Sequence, residues 1–282
     1  MTQPSVTILG AGRMGQGLAL ALARSGARPA LVARRPHPVA PPLVLHPGPR
    51  AAAVRQADIV LLAVPDDAIS ALAEELAAEG AIGPAAVVLH LSGLLDRRAL
   101  APLEPSGAAL GSLHPLQTIA DPAGAPDRFA GAYAAVEGDA RALAAGERVA
   151  TALGMTPIRL SGAAKASYHA GAVMAANYTV VLAGVAERLA LAAGVPPDTA
   201  SRLYLPLVRG AAANLGLGPA AALTGPVRRG DTRTLEAHLA ALDEGDRELY
   251  RRLGLEALRL ARAAGLDPAA AARVESVLAP GD

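Results

Sequence analysis

The chain has 282 residues, long enough to bury more than one hydrophobic core. With 52% hydrophobic and 18% charged residues it reads as an ordered globular protein, and a net charge of +1 with 2% aromatics argues against nucleic-acid binding. The sequence contains no cysteine, which removes disulfides, thiol nucleophiles and thiolate metal sites together.

The first predicted element is an apolar strand at residues 6–9, which breaks into Gly10, Gly12 and Gly15 (VTILGAGRMGQG) ahead of a helix over 13–25. In a strand–turn–helix unit each glycine has a mechanical task. Gly10 permits the tight turn, Gly12 lets backbone N–H groups approach a pyrophosphate, and Gly15 lets helix and strand pack closely. The helix start adds free N–H donors and partial positive charge. Gly10, Ala11, Gly12, Arg13, Met14 and Gly15 are therefore expected to form a dinucleotide cradle.

A second strand, at 29–33, ends on Arg34 and Arg35. An NAD site carries an acid near this point to accept hydrogen bonds from the ribose 2′-OH, which a guanidinium cannot do. A guanidinium instead pairs with a 2′-phosphate and stacks on adenine. The expected cofactor is NADP(H).

A proline-rich loop follows at 36–49, with a short strand suggested at 42–46. The run ADIVLLAV at 57–64 reads as a strand buried on both faces. A helix is expected over 66–79, strands over 85–91 and 108–113, an edge strand at 131–136 and a helix over 139–153. This alternation predicts an α/β fold, a Rossmann-type doubly wound parallel sheet with ligands at the strand carboxyl ends. Val64, Pro65 and Ser92 stand at those ends as cofactor contacts, and His90 as a contact to nicotinamide or substrate. Ser92-Gly93 reads equally well as a plain turn.

Strand signals stop at residue 161. Helices are expected over 162–193, 197–215, 232–242, 245–264 and 268–278. The chain thus divides into an NADP-binding Rossmann domain (1–160) and an all-helical substrate and dimerisation domain (161–282). Residues 170–186 carry no charge, yet the stretch is short for a membrane span and includes Asn177, Tyr178 and Thr179. A helix buried in the helical domain or in a dimer is expected, with a homodimer partner covering the apolar spine and no membrane contact. No leader pattern precedes the first strand, so a cytoplasmic protein is expected.

Candidate reactive groups are few. Of 26 basic residues only Lys165 is lysine, and a desolvated amine titrates where arginine does not. His169 lies four residues on, one turn along the same helical face, with Tyr168 beside it and Asn177 about two turns further. His114 follows a strand in GSLHPLQT, with Gln117 and Thr118 close by, and a neutral imidazole there suits proton exchange with a hydroxyl. His114 or Lys165 would handle the proton, with His169 as orienter or relay. No two histidines have metal-ligand spacing, so no metal centre is expected.

The segments GAGRMG, AVPDDAI, HLSG, GSLHPLQT, AAKASYHAGAVMAANY and TGPVRRGD together resemble an uncharacterised Rossmann-like family with a C-terminal all-helical domain of unknown function. That family is related to pyrroline-5-carboxylate reductase, ketopantoate reductase, prephenate dehydrogenase and the 6-phosphogluconate/β-hydroxyacid dehydrogenases. The resemblance implies an NADP-binding domain and an interlocked helical dimer, and brings no substrate with it. SLHP is similar to the prephenate dehydrogenase motif whose histidine contacts the reacting hydroxyl, which favours His114. AAKASYH is similar to a β-hydroxyacid dehydrogenase motif with a catalytic lysine and, four residues later, an asparagine; position 169 is histidine here. The resemblance also implies that Thr224, Gly225, Pro226, Arg229 and Asp231 line the substrate cleft. Two functions are compatible with these residues: an oxidoreductase moving hydride between NADP(H) and a small polar substrate, or a non-catalytic NADP(H) sensor.

Overall fold

A computed structural model describes residues 4–46 and 49–279; Pro47 and Gly48 of the expected proline-rich loop lie outside them. Strands β1 (Val6–Leu9), β2 (Ala30–Val32), β3 (Ile59–Leu62), β4 (Val87–His90), β5 (Ala109–Leu116), β6 (Tyr133–Gly138) and β7 (Thr156–Arg159) form one sheet. Their order is β2-β1-β3-β4-β5-β6-β7. The first five are parallel, joined by α1 (Arg13–Arg24), α2 (Arg50–Arg55), α3 (Asp66–Ala78) and a 3₁₀ stretch over Arg97–Ser106. After α4 (Ala125–Phe129), β6 runs antiparallel to β5, and α5 (Ala140–Ala152) leads to β7, parallel to β6.

Alternation along the strands sorts the core into two apolar layers. Ile8, Leu61 and Leu89 face one layer with Leu18 of α1, Phe129 of α4 and Val149 of α5. Leu9, Leu62 and Val88 face the other with Ile69 of α3 and with Leu100 and Leu103. Three expectations are corrected here. The strand at 131–136 is internal rather than an edge, because β7 flanks it. Strand β7 itself was not expected, since its proline and polar residues (TPIR) hide a short edge strand where a missing N–H is tolerated. Residues 42–46 contribute only a single bridge, Leu45 to Leu31.

Strand β5 is longer than its neighbour. It pairs with β4 only as far as Ser112 and with β6 as far as Leu116. Pro115, which has no N–H, therefore sits where one side of the strand carries no ladder. The extension lifts His114 past the end of β4 and up to the site.

The expected long helix is interrupted. A 3₁₀ turn at Gly162–Ala164 opens α6 (Lys165–Ala172), a π-helical turn occupies Val173–Asn177, and α7 (Tyr178–Ala192) follows. Packing divides the chain into one compact unit ending at Asn177 and a second beginning at Tyr178. The expected boundary at 160/161 precedes α6, but Lys165 is bonded to the ends of β4 and β5 and so belongs with the sheet.

The second unit is all helical: after α7 come α8 (Pro197–Leu203), α9 (Leu205–Asn214), α10 (Pro219–Ala222), α11 (Pro226–Arg229), α12 (Thr232–Ala241), α13 (Glu244–Ala263) and α14 (Pro268–Leu278). Its core is made by Val227, Leu235, Leu258, Val274 and Leu278 of the last four. Within the single chain α7 is largely exposed: among its residues only Ala190 is buried, while Val180 and Val181 are 72% and 55% exposed. The segment Gly162–Ala192, which contains an 18-residue stretch of mean hydropathy 1.3, is long and apolar enough to cross a membrane.

Candidate functional site

The turn after β1 fits a dinucleotide. Gly10 has φ +118°, a region that excludes other residues, and a Cβ there would lie 2.7 Å from the Ala63 carbonyl carbon. A Cβ on Gly15 would overlap the Gly10 carbonyl oxygen, so the close approach of α1 to the turn requires glycine. Gly12 meets nothing within 4 Å, leaving its surface open to a ligand. Helix α1 has no side-chain cap and no acid in its first turn, so its first N–H groups are available to an anion.

Gly10, Ala11 and Gly12 line a cavity of about 930 Å³ with Val64, Pro65, Arg34 and Arg35. Arg13, Met14, Gly15 and Ser92 are not among its lining residues: Gly15 packs against the turn, Met14 packs on the first core layer, and Ser92 is buried elsewhere. Sequence reasoning missed two contributors. Arg50 of α2 also lines the cavity and pairs with Glu75 at 2.7 Å and with Glu79, while Arg34 approaches Glu75 at 3.5 Å. Gln16, buried in α1, donates to the Ala11 and Pro38 carbonyls and accepts from the Ala40 N–H, tying the proline-rich loop to the turn. A polar residue on the buried face of an otherwise Ala/Leu helix was the available signal.

At the carboxyl ends of β4 and β5 lies a second constellation. Lys165, 1% exposed, donates to the Ser92 carbonyl at 2.9 Å and to Ser112 Oγ at 2.6 Å. Ser112 Oγ in turn donates to Glu137 at 3.1 Å, and Glu137 accepts the Arg97 N–H. Burial pulls the Lys165 amine down to about 8, against the opposing pull of Glu137, Asp96 and Asp66. Ser92 Oγ donates to Asp66 at 2.7 Å and accepts from the Leu94 and Leu95 N–H groups. His90 is fully buried, accepting the Ser92 N–H at Nδ1 and placing Nε2 3.0 Å from the Asp96 carbonyl. The readings of Ser92 as a cofactor contact and of His90 as a substrate contact are therefore corrected. Both shape the turn, and their polar atoms are used within the fold. Ser112, Glu137 and Asp66 were missed; the acid in the strand run YAAVEG was the visible clue.

That turn presents Gly93 to two imidazoles. A Cβ on Gly93 would lie 2.9 Å from His114 Cε1 and Nε2 and closer still to His169 Nδ1. The two rings meet edge to face with centroids 5.6 Å apart, and His114 Nδ1 is 3.0 Å from the Tyr168 hydroxyl. His169 Nδ1 is buried without a partner. Burial, aided by His169 and Lys165, takes His114 down to about 4, and burial takes Tyr168 up to about 12. His114, Tyr168 and His169 line a cavity of about 580 Å³ with Gln117, Thr118 and Asn177. The π-helical turn Val173–Asn177 forms part of its wall. Lys165 is not among the lining residues of either cavity. Arg229 and Asp231 belong to the second unit, where Asp231 caps α12 through the Thr234 N–H and hydroxyl.

Residues 5–88 match a family model described as NADP oxidoreductase, coenzyme F420-dependent, and residues 132–257 match a domain of unknown function, DUF2520. Among curated protein sequences nothing matches the chain. Solved structures are similar in fold. Protein TM1727 from Thermotoga maritima has a TM-score of 0.66 at 22% identity over 92% of this chain and 98% of its own. A pyrroline carboxylate reductase from Plasmodium falciparum with NADP bound scores 0.61 at 12% over 99% and 100%. An imine reductase from Myxococcus stipitatus in complex with NADP⁺ scores 0.56 at 21% over 98% and 93%.

Proposed function

We propose that this chain, an NADP-oxidoreductase-like Rossmann domain joined to a DUF2520 domain, is an NADP(H)-dependent oxidoreductase acting on a small polar substrate. The observation that carries the reading is the His114–Tyr168–His169 cluster lining a cavity of about 580 Å³ at the carboxyl ends of the same sheet whose first turn fits a dinucleotide. Ligands of doubly wound sheets bind at that edge.

Gly10, Ala11, Gly12 and the α1 N-terminus would hold the pyrophosphate, with Arg34 and Arg35 at the 2′-phosphate. When bound, NADPH supplies a hydride to an electrophilic carbon, or NADP⁺ removes one. The residues manage the accompanying proton. Tyr168, held protonated, donates to His114 Nδ1, which fixes the neutral imidazole and forms a donor–acceptor pair facing the substrate. In the reducing direction this pair would give a proton to the oxygen or nitrogen attached to the reacting carbon, and in the oxidising direction it would accept one. His169 supplies a second imidazole nitrogen to orient the substrate. Lys165 is a positioning residue: its amine joins α6, which carries Tyr168 and His169, to the turn that ends in Gly93 and to the strand that carries His114.

A second copy of the chain is proposed to cover the apolar surface of α7 and α9, supported by the exposure of Val180, Val181 and Leu207. The protein is accordingly read as soluble and cytoplasmic. The test is stopped-flow nicotinamide absorbance with imines, ketones, 2-keto acids, 3-hydroxy acids and a deazaflavin as hydride partner, in the wild type and in Tyr168→Phe. Turnover with at least one partner, reduced about 10²-fold in the variant at unchanged NADPH affinity, supports the reading. Full turnover in Tyr168→Phe overturns the assignment of the pair.

A further inference from the structure

The cavity holding the two imidazoles is lined mainly by apolar and uncharged polar side chains. Among its described lining residues there is no Asp, Glu, Lys or Arg. The charged groups of the strand-end network are engaged within the fold. Lys165 is spent on the Ser92 carbonyl and Ser112 Oγ, Glu137 on Ser112 Oγ and the Arg97 N–H, and Asp66 on Ser92 Oγ. The titratable groups that do face the cavity include a histidine held down to about 4 by burial and a tyrosine held up to about 12, both uncharged at neutral pH.

An anion entering this space would give up water and meet no lysine or arginine side chain among the described lining residues. A buried charge without a partner is far more costly than a neutral polar group that finds a hydrogen bond. A carbonyl, neutral imine or hydroxyl does find one. With the Tyr168 O–H given to His114 Nδ1, His114 Nε2–H offers a donor and the Tyr168 oxygen an acceptor, and the buried His169 Nδ1 has no partner among the described residues. Such an orphaned atom in a cavity wall is free to bond to whatever polar group occupies the cavity.

We infer that the substrate is uncharged where it enters this cavity: a small ketone or aldehyde, an imine in its neutral form, or the matching alcohol, selected against analogues that place a carboxylate or phosphate there. The inference rests on the reading of the cavity as the substrate site of an oxidoreductase, and extends it by naming the class.

The test uses the full chain saturated with NADP⁺ and three probes of one ring system: cyclohexanone, methyl 4-oxocyclohexanecarboxylate and 4-oxocyclohexanecarboxylate. Binding is followed by calorimetry and by the imidazole proton resonances of His114 and His169. The ketone and the ester are expected to bind and to move both imidazole signals, with the carboxylate at least tenfold weaker than the ester of the same shape. Thr118→Arg, which adds a cation to an exposed position of the wall, is expected to recover at least tenfold in carboxylate affinity. A carboxylate that binds the wild type as tightly as the ester overturns the inference, as does an absence of binding by all three probes or no gain in Thr118→Arg. If the neutral probes bind but no partner supports turnover, the oxidoreductase reading falls while the preference for a neutral ligand stands.

Discussion

The ammonium of Lys165 donates to the hydroxyl of Ser112 at 2.6 Å, and this bond fastens the helix bearing Tyr168 and His169 to the strand bearing His114. The same amine holds the Ser92 carbonyl, and through Ser112 it faces Glu137, so one buried cation joins three segments distant in sequence. Removing one partner from a buried charged network typically costs about 3 kcal/mol or more, because the others are left uncompensated. Lys165→Met is therefore expected to lose stability of that order in chemical denaturation. Lys165→Arg should fail to restore it, since a planar fork does not reproduce the two bonds of a compact ammonium. Denaturation midpoints within error of wild type for Lys165→Met would remove Lys165 from the role of fastener.

Gly93 is expected to tolerate no side chain. A Cβ at this position meets both His114 and His169, so Gly93→Ala must separate the rings or shift the turn. NADPH affinity should remain within about twofold, because Gly93 does not line the larger cavity. Turnover should fall about 10²-fold, the usual size of a lost general acid–base contribution. Equal losses in cofactor affinity and turnover would point instead to a disturbed sheet edge.

Cofactor preference is expected to follow Arg34 and Arg35. A charge-assisted hydrogen bond contributes roughly 1.5 kcal/mol or more, about tenfold in affinity. Arg34→Ser and Arg35→Ser should each weaken NADPH by about that factor and leave NADH nearly unchanged. Arg50 is a further candidate cation, but its pairing with Glu75 and Glu79 predicts a smaller effect on removal. Fluorescence titration with both nucleotides decides this, and equal losses for NADH and NADPH would contradict the 2′-phosphate assignment.

Acid should loosen the His90 turn. Burial holds His90 down to about 4 against an ordinary 6.5, so the unfolded chain takes up a proton that the folded chain refuses. Stability is then full above about 6.5, declines as pH falls from 6.5 toward 4, and levels below 4. His114, shifted in the same direction, adds to the decline. Protonated His90 also cannot accept the Ser92 N–H, so the turn loses a bond as it gains a charge. His90→Gln is expected to be less stable at neutral pH and to show a shallower decline between pH 6.5 and 4. An unchanged slope in unfolding free energy against pH would assign the acid sensitivity elsewhere.

Most of the fold was legible because its signals are local. The glycine turn, the apolar runs of β1, β3 and β4 and the proline and glycine stops between helices are properties of neighbouring residues, and they appear where expected within a few positions. Strand β7 and the antiparallel turn at β6 escaped notice because a four-residue edge strand carries little pattern. Likewise, His114, Tyr168 and His169 were visible as chemical types, with Tyr168 one position from His169 in the chain.

The sequence by itself determined the dinucleotide turn, the arginines that follow β2 and the division into an α/β part and a helical part, since each follows from residue spacing and backbone sterics. Only the tertiary structure decided which polar residues work inward and which face a ligand. Lys165 reads as a reactive group in the chain, Ser92 as a cofactor contact and His90 as a substrate contact, yet all three are buried and hydrogen-bonded within the turn after β4 and its neighbours. Burial is a property of what folds over a residue from far along the chain, and spacing within the sequence does not encode it.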